Sequence, residues 1–90
     1  MRRLLITMRD VPATSMAAVS DGWHELRKAV QDAGGRAWRF RNSSNPGVLV
    51  EFVEWSDPAR PLDNDAVRAA LTRLDGIAPG SPGEWQEVRD

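Results

Sequence analysis

Polar and apolar positions alternate at the start and in the middle of the chain, and recur at three- and four-residue spacing in two segments between. In residues 3–8, RLLITM, the period of two puts Leu4, Ile6 and Met8 on one face of a strand and Leu5 and Thr7 on the other. Asp10, Pro12 and Thr14 break it. From Met16 the apolar positions are Met16, Val19, Trp23, Leu26, Val30 and Ala33, a single stripe of an amphipathic helix. Ser15 suits the N-cap, and Gly34-Gly35 ends the helix where a positive φ is wanted. Gly22 weakens the helix by about 1 kcal/mol against alanine, and lets it approach a neighbour closely.

Two strands follow, Arg36 to Asn42 and Val48 to Trp55, around a Ser-Ser-Asn-Pro-Gly break. After Asp57, Pro58 and Pro61, either Asp63 or Asn64 can cap a second helix with Val67, Ala70, Leu71, Leu74 and Ile77 inward. Pro79 to Gly83 stops it, and Trp85 to Val88 reads as a short last strand. The order β-α-β-β-α-β over residues 1–90 predicts one α+β domain of ferredoxin-like layout, a four-stranded antiparallel sheet with both helices on one face. The other face is either solvated or covered by something outside this set of elements.

Register decides which residues share a face. Pairing Asn42 with Val48 opposes Arg39 to Glu51, Arg41 to Leu49, Phe40 to Val50 and Trp38 to Phe52, matching charge with charge and ring with ring. The neighbouring register sets Trp38 against Glu51. In the preferred register Trp38, Phe40, Val48, Val50 and Phe52 join Leu4, Ile6 and Met8 as the expected core under the helices. Thr7, Arg9, Arg39, Arg41, Glu51, Val53 and Trp55 fall on the second face, with Arg3, Leu5 and Leu49. That mixture of charge and bulk fits a wall where two sheets meet around a partly polar cavity, so these seven are the cavity or interface candidates. A solvated face with cross-strand ion pairs is the plainer alternative.

The run NPGVLVEFVEWSD, Asn45 to Asp57, followed by a helix and a short strand, resembles the dimeric α/β-barrel superfamily, including antibiotic-biosynthesis-monooxygenase-like proteins. In that family a Pro-Gly turn leads into a strand ending in a Glu-x-Trp-x-Asp signature; Trp55 and Asp57 match it, and Val53 stands where the glutamate would be. The resemblance implies a homodimer formed through the sheet faces, closing an α/β barrel that can hold a small molecule. Its implied activity is that of a cofactor-independent monooxygenase or isomerase on an aromatic or polyketide-like substrate. The family's haem-degrading members use an Asn, a Trp and a His; here Trp55 matches the tryptophan, Thr7 replaces the asparagine, and the second helix has no histidine, so no cofactor is expected.

Composition narrows the remaining classes. A net charge of −1 and a pI near 5.8 give no drive towards nucleic acid or an anionic membrane. An RNA-recognition module shares this element order, but its third strand carries stacking aromatics where GVLVEF stands here. Without cysteine there is no thiolate chemistry, which suits the cytoplasm. MRRLLITMRD starts as a signal peptide would, but its apolar run is too short, so a cytoplasmic location is expected. Eleven of the twelve bases are arginine, the usage of a GC-rich bacterial source. One histidine, His24, sits beside the first helix's stripe without a partner, and no metal-ligand spacing occurs. Glu51 is the carboxylate available as a base, and a pairing with Arg39 lowers its expected pKa.

Overall fold

The computed structural model describes residues 1–89. They form β1 (Arg2–Asp10), α1 (Met16–Asp32), β2 (Arg36–Arg41), β3 (Val48–Ser56), α2 (Asp65–Ile77) and β4 (Gly80–Gln86), with single 3-10 turns at Ala13–Ser15 and Pro61–Asp63. The strands make one antiparallel sheet in the order β2-β3-β1-β4, the ferredoxin-like α+β arrangement.

Local chemistry accounts for the helix boundaries. α1 buries Val19, Gly22, Trp23, Leu26 and Val30, and ends where Gly34 adopts φ 87°, a conformation that disfavours any side chain. Ser15 occupies the N-cap position without a side-chain bond, because the 3-10 turn before it already leads the chain in. Gly22 marks the crossing with α2, since a Cβ there would lie 2.9 Å from Leu74 Cδ2. α2 is capped by Asn64, whose Oδ1 accepts from the backbone N–H groups of Ala66 and Val67 at 2.9 and 3.2 Å.

The β2–β3 register is the expected one: Arg39 opposes Glu51, Trp38 opposes Phe52, and the Asn42 N–H donates to the Val48 carbonyl at 2.9 Å. The assignment of faces is reversed. Leu5, Thr7, Arg9, Leu49, Glu51, Val53 and Trp55 lie buried beneath the helices, with Ala37 of β2. Leu4, Ile6, Trp38, Val48, Val50 and Phe52 are only partly covered, and Met8 and Phe40 are 47% and 59% exposed, on the side away from the helices. Trp38 therefore belongs to the open face and stacks on Phe52 with ring centroids 5.3 Å apart; Phe40 meets the same ring edge-on at 5.9 Å. The charged set tolerates burial because its members neutralise one another, so the expectation that charge excludes a core fails here.

The last strand is also displaced. It runs over Gly80–Gln86, not Trp85–Val88, and pairs with β1 from Arg9↔Gly80 to Arg3↔Gln86. A Gly-Ser-Pro-Gly run reads locally as a turn, but on an edge strand the missing proline N–H is lost only from the free side, and backbone pairing with β1 overrides the local preference. Trp85 projects on the open side, 62% exposed, opposite Leu4.

Candidate functional site

Adjacent strand positions bring the ionic centre together. Thr7 of β1 opposes Glu51 of β3, and Arg9, two residues on, points to the same face. The Arg9 Nε–H is shared between both Glu51 carboxylate oxygens at 2.9 and 3.0 Å, and both side chains are essentially out of solvent, 0% and 2% exposed. From α2, Asp75 Oδ1 accepts from Arg9 Nη1 at 2.6 Å, and the Ala78 carbonyl accepts from the same nitrogen at 2.8 Å. Arg9 Nη2 is buried with no partner among the described residues. Such an orphaned donor is costly in a low-dielectric interior, and with the Trp55 indole N–H it is one of two buried side-chain donors without a partner among the described residues.

Gly80 makes room for this arrangement. A Cβ there would come within 2.5 Å of Thr7 Cγ2 and 3.0 Å of Arg9 Nη1. β4 can therefore pair with β1 in this register only with a glycine at this point.

Beside Arg9 a cleft of about 250 Å³ opens between the sheet and α2. Leu5, Thr7 and Arg9 of β1 form its inner wall, Leu62 and Leu71 its apolar flank, and Asp75 and Pro82 its rim. Asp75 is half exposed, so it is the solvent-side member of the trio that holds Arg9.

The Glu51 carboxyl is pushed above the usual glutamate range. Burial is the larger cause, and it outweighs the opposing pull of Arg9 and, after it, of Arg39. Arg39 does pull the Glu51 pKa down, as expected, but burial outweighs it and the net shift is upward; Arg39 itself donates to Ser20 Oγ at 2.9 Å and lies over the Trp23 ring at 5.4 Å. A carboxylate held under apolar side chains, with its pKa raised, is equipped for proton transfer.

The remaining candidates disperse. Val53 packs in the core. Trp55 is buried at the other end of β3 under Arg60, with its indole N–H unpartnered among the described residues. Arg41 is exposed and borders a separate groove with Val11, Met16 and Pro46. His24 lies on the exposed side of α1. Asp75 and Gly80 are the site residues that sequence reasoning missed. One signal did point to Asp75: an acid in the last turn of a helix opposes the macrodipole, a placement that asks for a cationic partner. Among the described residues no three His, Cys, Asp or Glu side chains converge as metal ligands, and no helix is long and apolar enough to cross a membrane.

No family model matches the chain. Among solved structures, SnoaB, a cofactor-independent oxygenase from Streptomyces nogalater, superposes with a TM-score of 0.80 at 14% identity, over 99% of this chain and 95% of that one. A conserved protein from Methanosarcina mazei Go1 gives 0.84 at 12% identity, over 98% and 94%. An antibiotic biosynthesis monooxygenase gives 0.75 at 18% identity, over 99% and 100%. These likenesses are of fold: the chain shares the ferredoxin-like α+β arrangement of these structures over nearly its whole length. In sequence, tRNA pseudouridine synthase A of Gloeobacter violaceus is 38% identical over 69 residues, 74% of this chain. The chain spans about a fifth of that curated relative's length, 21%.

Proposed function

We propose that this chain, built on the antibiotic-biosynthesis-monooxygenase-like fold, is a homodimer that binds a small molecule in the cleft between its sheet and α2. The observation that carries the reading is the cleft of about 250 Å³ itself, mostly apolar in lining, with Thr7, Arg9 and Asp75 as its polar groups. Ligand sites combine a mostly apolar lining with a few placed polar groups, and this cleft has that character. A screen of aromatic compounds by tryptophan fluorescence tests it, with Trp55 and Trp23 on the helix-covered face as reporters. Saturable quenching supports binding; no response across the screen removes it.

The dimer forms through the open face. Leu4, Ile6, Met8, Trp38, Phe40, Val50 and Phe52 make an apolar sheet surface larger than scattered exposure would produce, and a second copy of the same surface covers it by two-fold symmetry. This differs from a cavity between the two sheets: the dimer contact and the ligand cleft lie on opposite sides of one sheet. Sedimentation as a monomer at micromolar concentration refutes the dimer.

Glu51 favours a second reading, a cofactor-independent monooxygenase or isomerase acting on an aromatic or polyketide-like substrate. Its raised pKa and burial suit a base that removes a proton from bound substrate. SnoaB, of the same fold, is a cofactor-independent oxygenase. Oxygen uptake with phenolic substrates is the assay, and loss of uptake in Glu51→Gln with binding retained is the expected result. The tRNA-modifying activity of the Gloeobacter relative is not carried over, because a net charge of −1 offers no attraction for a polyanion.

A further inference from the structure

The charge that the cleft presents to a ligand is not that of Arg9. Its side chain is 0% exposed and already faces two carboxylates, Glu51 at 2.9 Å and Asp75 at 2.6 Å. The trio is acidic with Glu51 ionised and neutral with Glu51 protonated, so in neither state does it offer a free positive charge. Asp75 is its accessible member, 55% exposed at the rim of the cleft. Arg9 engages Asp75 Oδ1, while Oδ2 has no hydrogen-bond partner among the described residues.

The surroundings add to the same sign. α2 ends at Ile77, two residues beyond Asp75, and the negative end of a helix dipole favours a cation. Flanking the cleft elsewhere, Arg60 is likewise shared between two acids, Glu84 at 2.7 Å and Asp63 at 3.3 Å. Asp63 adjoins the lining residue Leu62, and Glu84 opposes Leu5 in the β1–β4 pairing. An anion entering here meets repulsion, and a cation meets attraction.

Thr7 supplies an independent sign of a ligand. It is 4% exposed, lines the cleft, and its hydroxyl makes no hydrogen bond among the described residues. The fully enclosed side-chain groups without a partner are Arg9 Nη2 and Trp55 Nε1, so the Thr7 oxygen, absent from that set, keeps accessible surface. The hydroxyl and the Asp75 carboxylate are neighbours. Thr7 Cγ2 and Arg9 Nη1 both lie within 3.0 Å of one point beside Gly80, and Asp75 bonds to that nitrogen. Both groups can accept a hydrogen bond, which suits a ligand rich in donors.

We infer that the cleft takes an apolar primary amine, whose ammonium donates to the Asp75 carboxylate and the Thr7 hydroxyl while its hydrocarbon lies against Leu5, Leu62 and Leu71. This rests on the reading of the cleft as a small-molecule site. An apolar cavity of about 150 Å³ holds benzene, so a cleft of about 250 Å³ has room for a phenyl ring on a short chain. Three probes of matched shape separate the inference from that reading: 2-phenylethylamine, 2-phenylethanol and 3-phenylpropionate, each titrated into the isotope-labelled chain. The readout is the amide resonances of Leu5, Thr7, Leu71 and Asp75.

The amine is expected to bind about tenfold tighter than the alcohol, and the carboxylate more weakly than either. Asp75→Asn, which keeps an oxygen for Arg9 but removes the charge, is expected to bring the amine to within about twofold of the alcohol. Thr7→Val is expected to weaken the amine about fivefold, the worth of one hydrogen bond. An alcohol or carboxylate that matches the amine in the wild-type chain overturns the amine inference and leaves the cleft as a binding site. An amine preference that persists in Asp75→Asn, or amine binding unchanged in Thr7→Val, removes the role given to that residue. Should no probe move the cleft resonances at millimolar concentration, the binding reading falls too.

Discussion

Arg9 carries five N–H donors, and the fold gives partners to the Nε and Nη1 groups while Nη2 has none among the described residues. Losing either ionic partner leaves a buried charge uncompensated, whereas losing both need not. Arg9→Met is therefore expected to cost about 3–5 kcal/mol, and Arg9→Met with Glu51→Leu to recover most of it, as read from urea unfolding midpoints. A double variant no more stable than the single one refutes this. Because burial lifts the Glu51 carboxyl above its ordinary range, the folded state keeps that proton to higher pH than the unfolded chain does. The stability this contributes is complete below the unfolded value and is lost as pH rises through the folded one. Wild type should therefore lose stability relative to Glu51→Gln on going upward from about pH 4, the ordinary glutamate region. A pH-independent difference contradicts the raised pKa. At this scale the sequence was only partly informative. The strand alternation placed Thr7, Arg9 and Glu51 on one face, but the Arg9–Asp75 contact joins positions 66 residues apart, and no local pattern encodes it.

Among the elements, β4 departs furthest from its local sequence signal. Its residues, GSPGEWQ, have little intrinsic strand preference, and their conformation comes from hydrogen bonding to β1. Gly80 shows one reason the sequence is sparse in side chains there: beside β1, a Cβ at this position would fall 2.5 Å from Thr7 Cγ2 and 3.0 Å from Arg9 Nη1. Gly80→Ala is expected to destabilise by about 1–3 kcal/mol through overpacking against Thr7 and Arg9. The loss should shrink in a Thr7→Ser background, which removes the nearest methyl; an equal loss in both backgrounds places the strain elsewhere. Both helices, by contrast, were legible in their apolar stripes, because a period near 3.6 over thirteen or more residues has few competing interpretations.

At the scale of the whole molecule, the helices cover the less hydrophobic of the two sheet faces. Leu4, Ile6, Met8, Trp38, Phe40, Val50 and Phe52 form the more hydrophobic set, so periodicity alone assigns them to the interior. The helices instead cover the face whose charges close on one another, leaving the aromatic face for the proposed dimer. Phe52, at the centre of the Trp38 and Phe40 ring cluster, is the position to test it. A standard interface buries about 800 Å² on each partner. Phe52→Glu would place two unpaired carboxylates near the two-fold axis of such a contact. Sedimentation is expected to fall from twice the 10.0 kDa chain mass to the single chain, with the circular dichroism spectrum retained. A dimer that survives the substitution means the contact lies elsewhere. Pro82 then acquires a role in keeping the assembly finite. Lying on the edge strand opposite Thr7, it removes one outward backbone donor from the rim of the sheet. In the proposed dimer, copies would stack face to face and stop at two, while strand-by-strand growth along this rim, the route to fibrils, would meet a gap in its hydrogen-bond ladder.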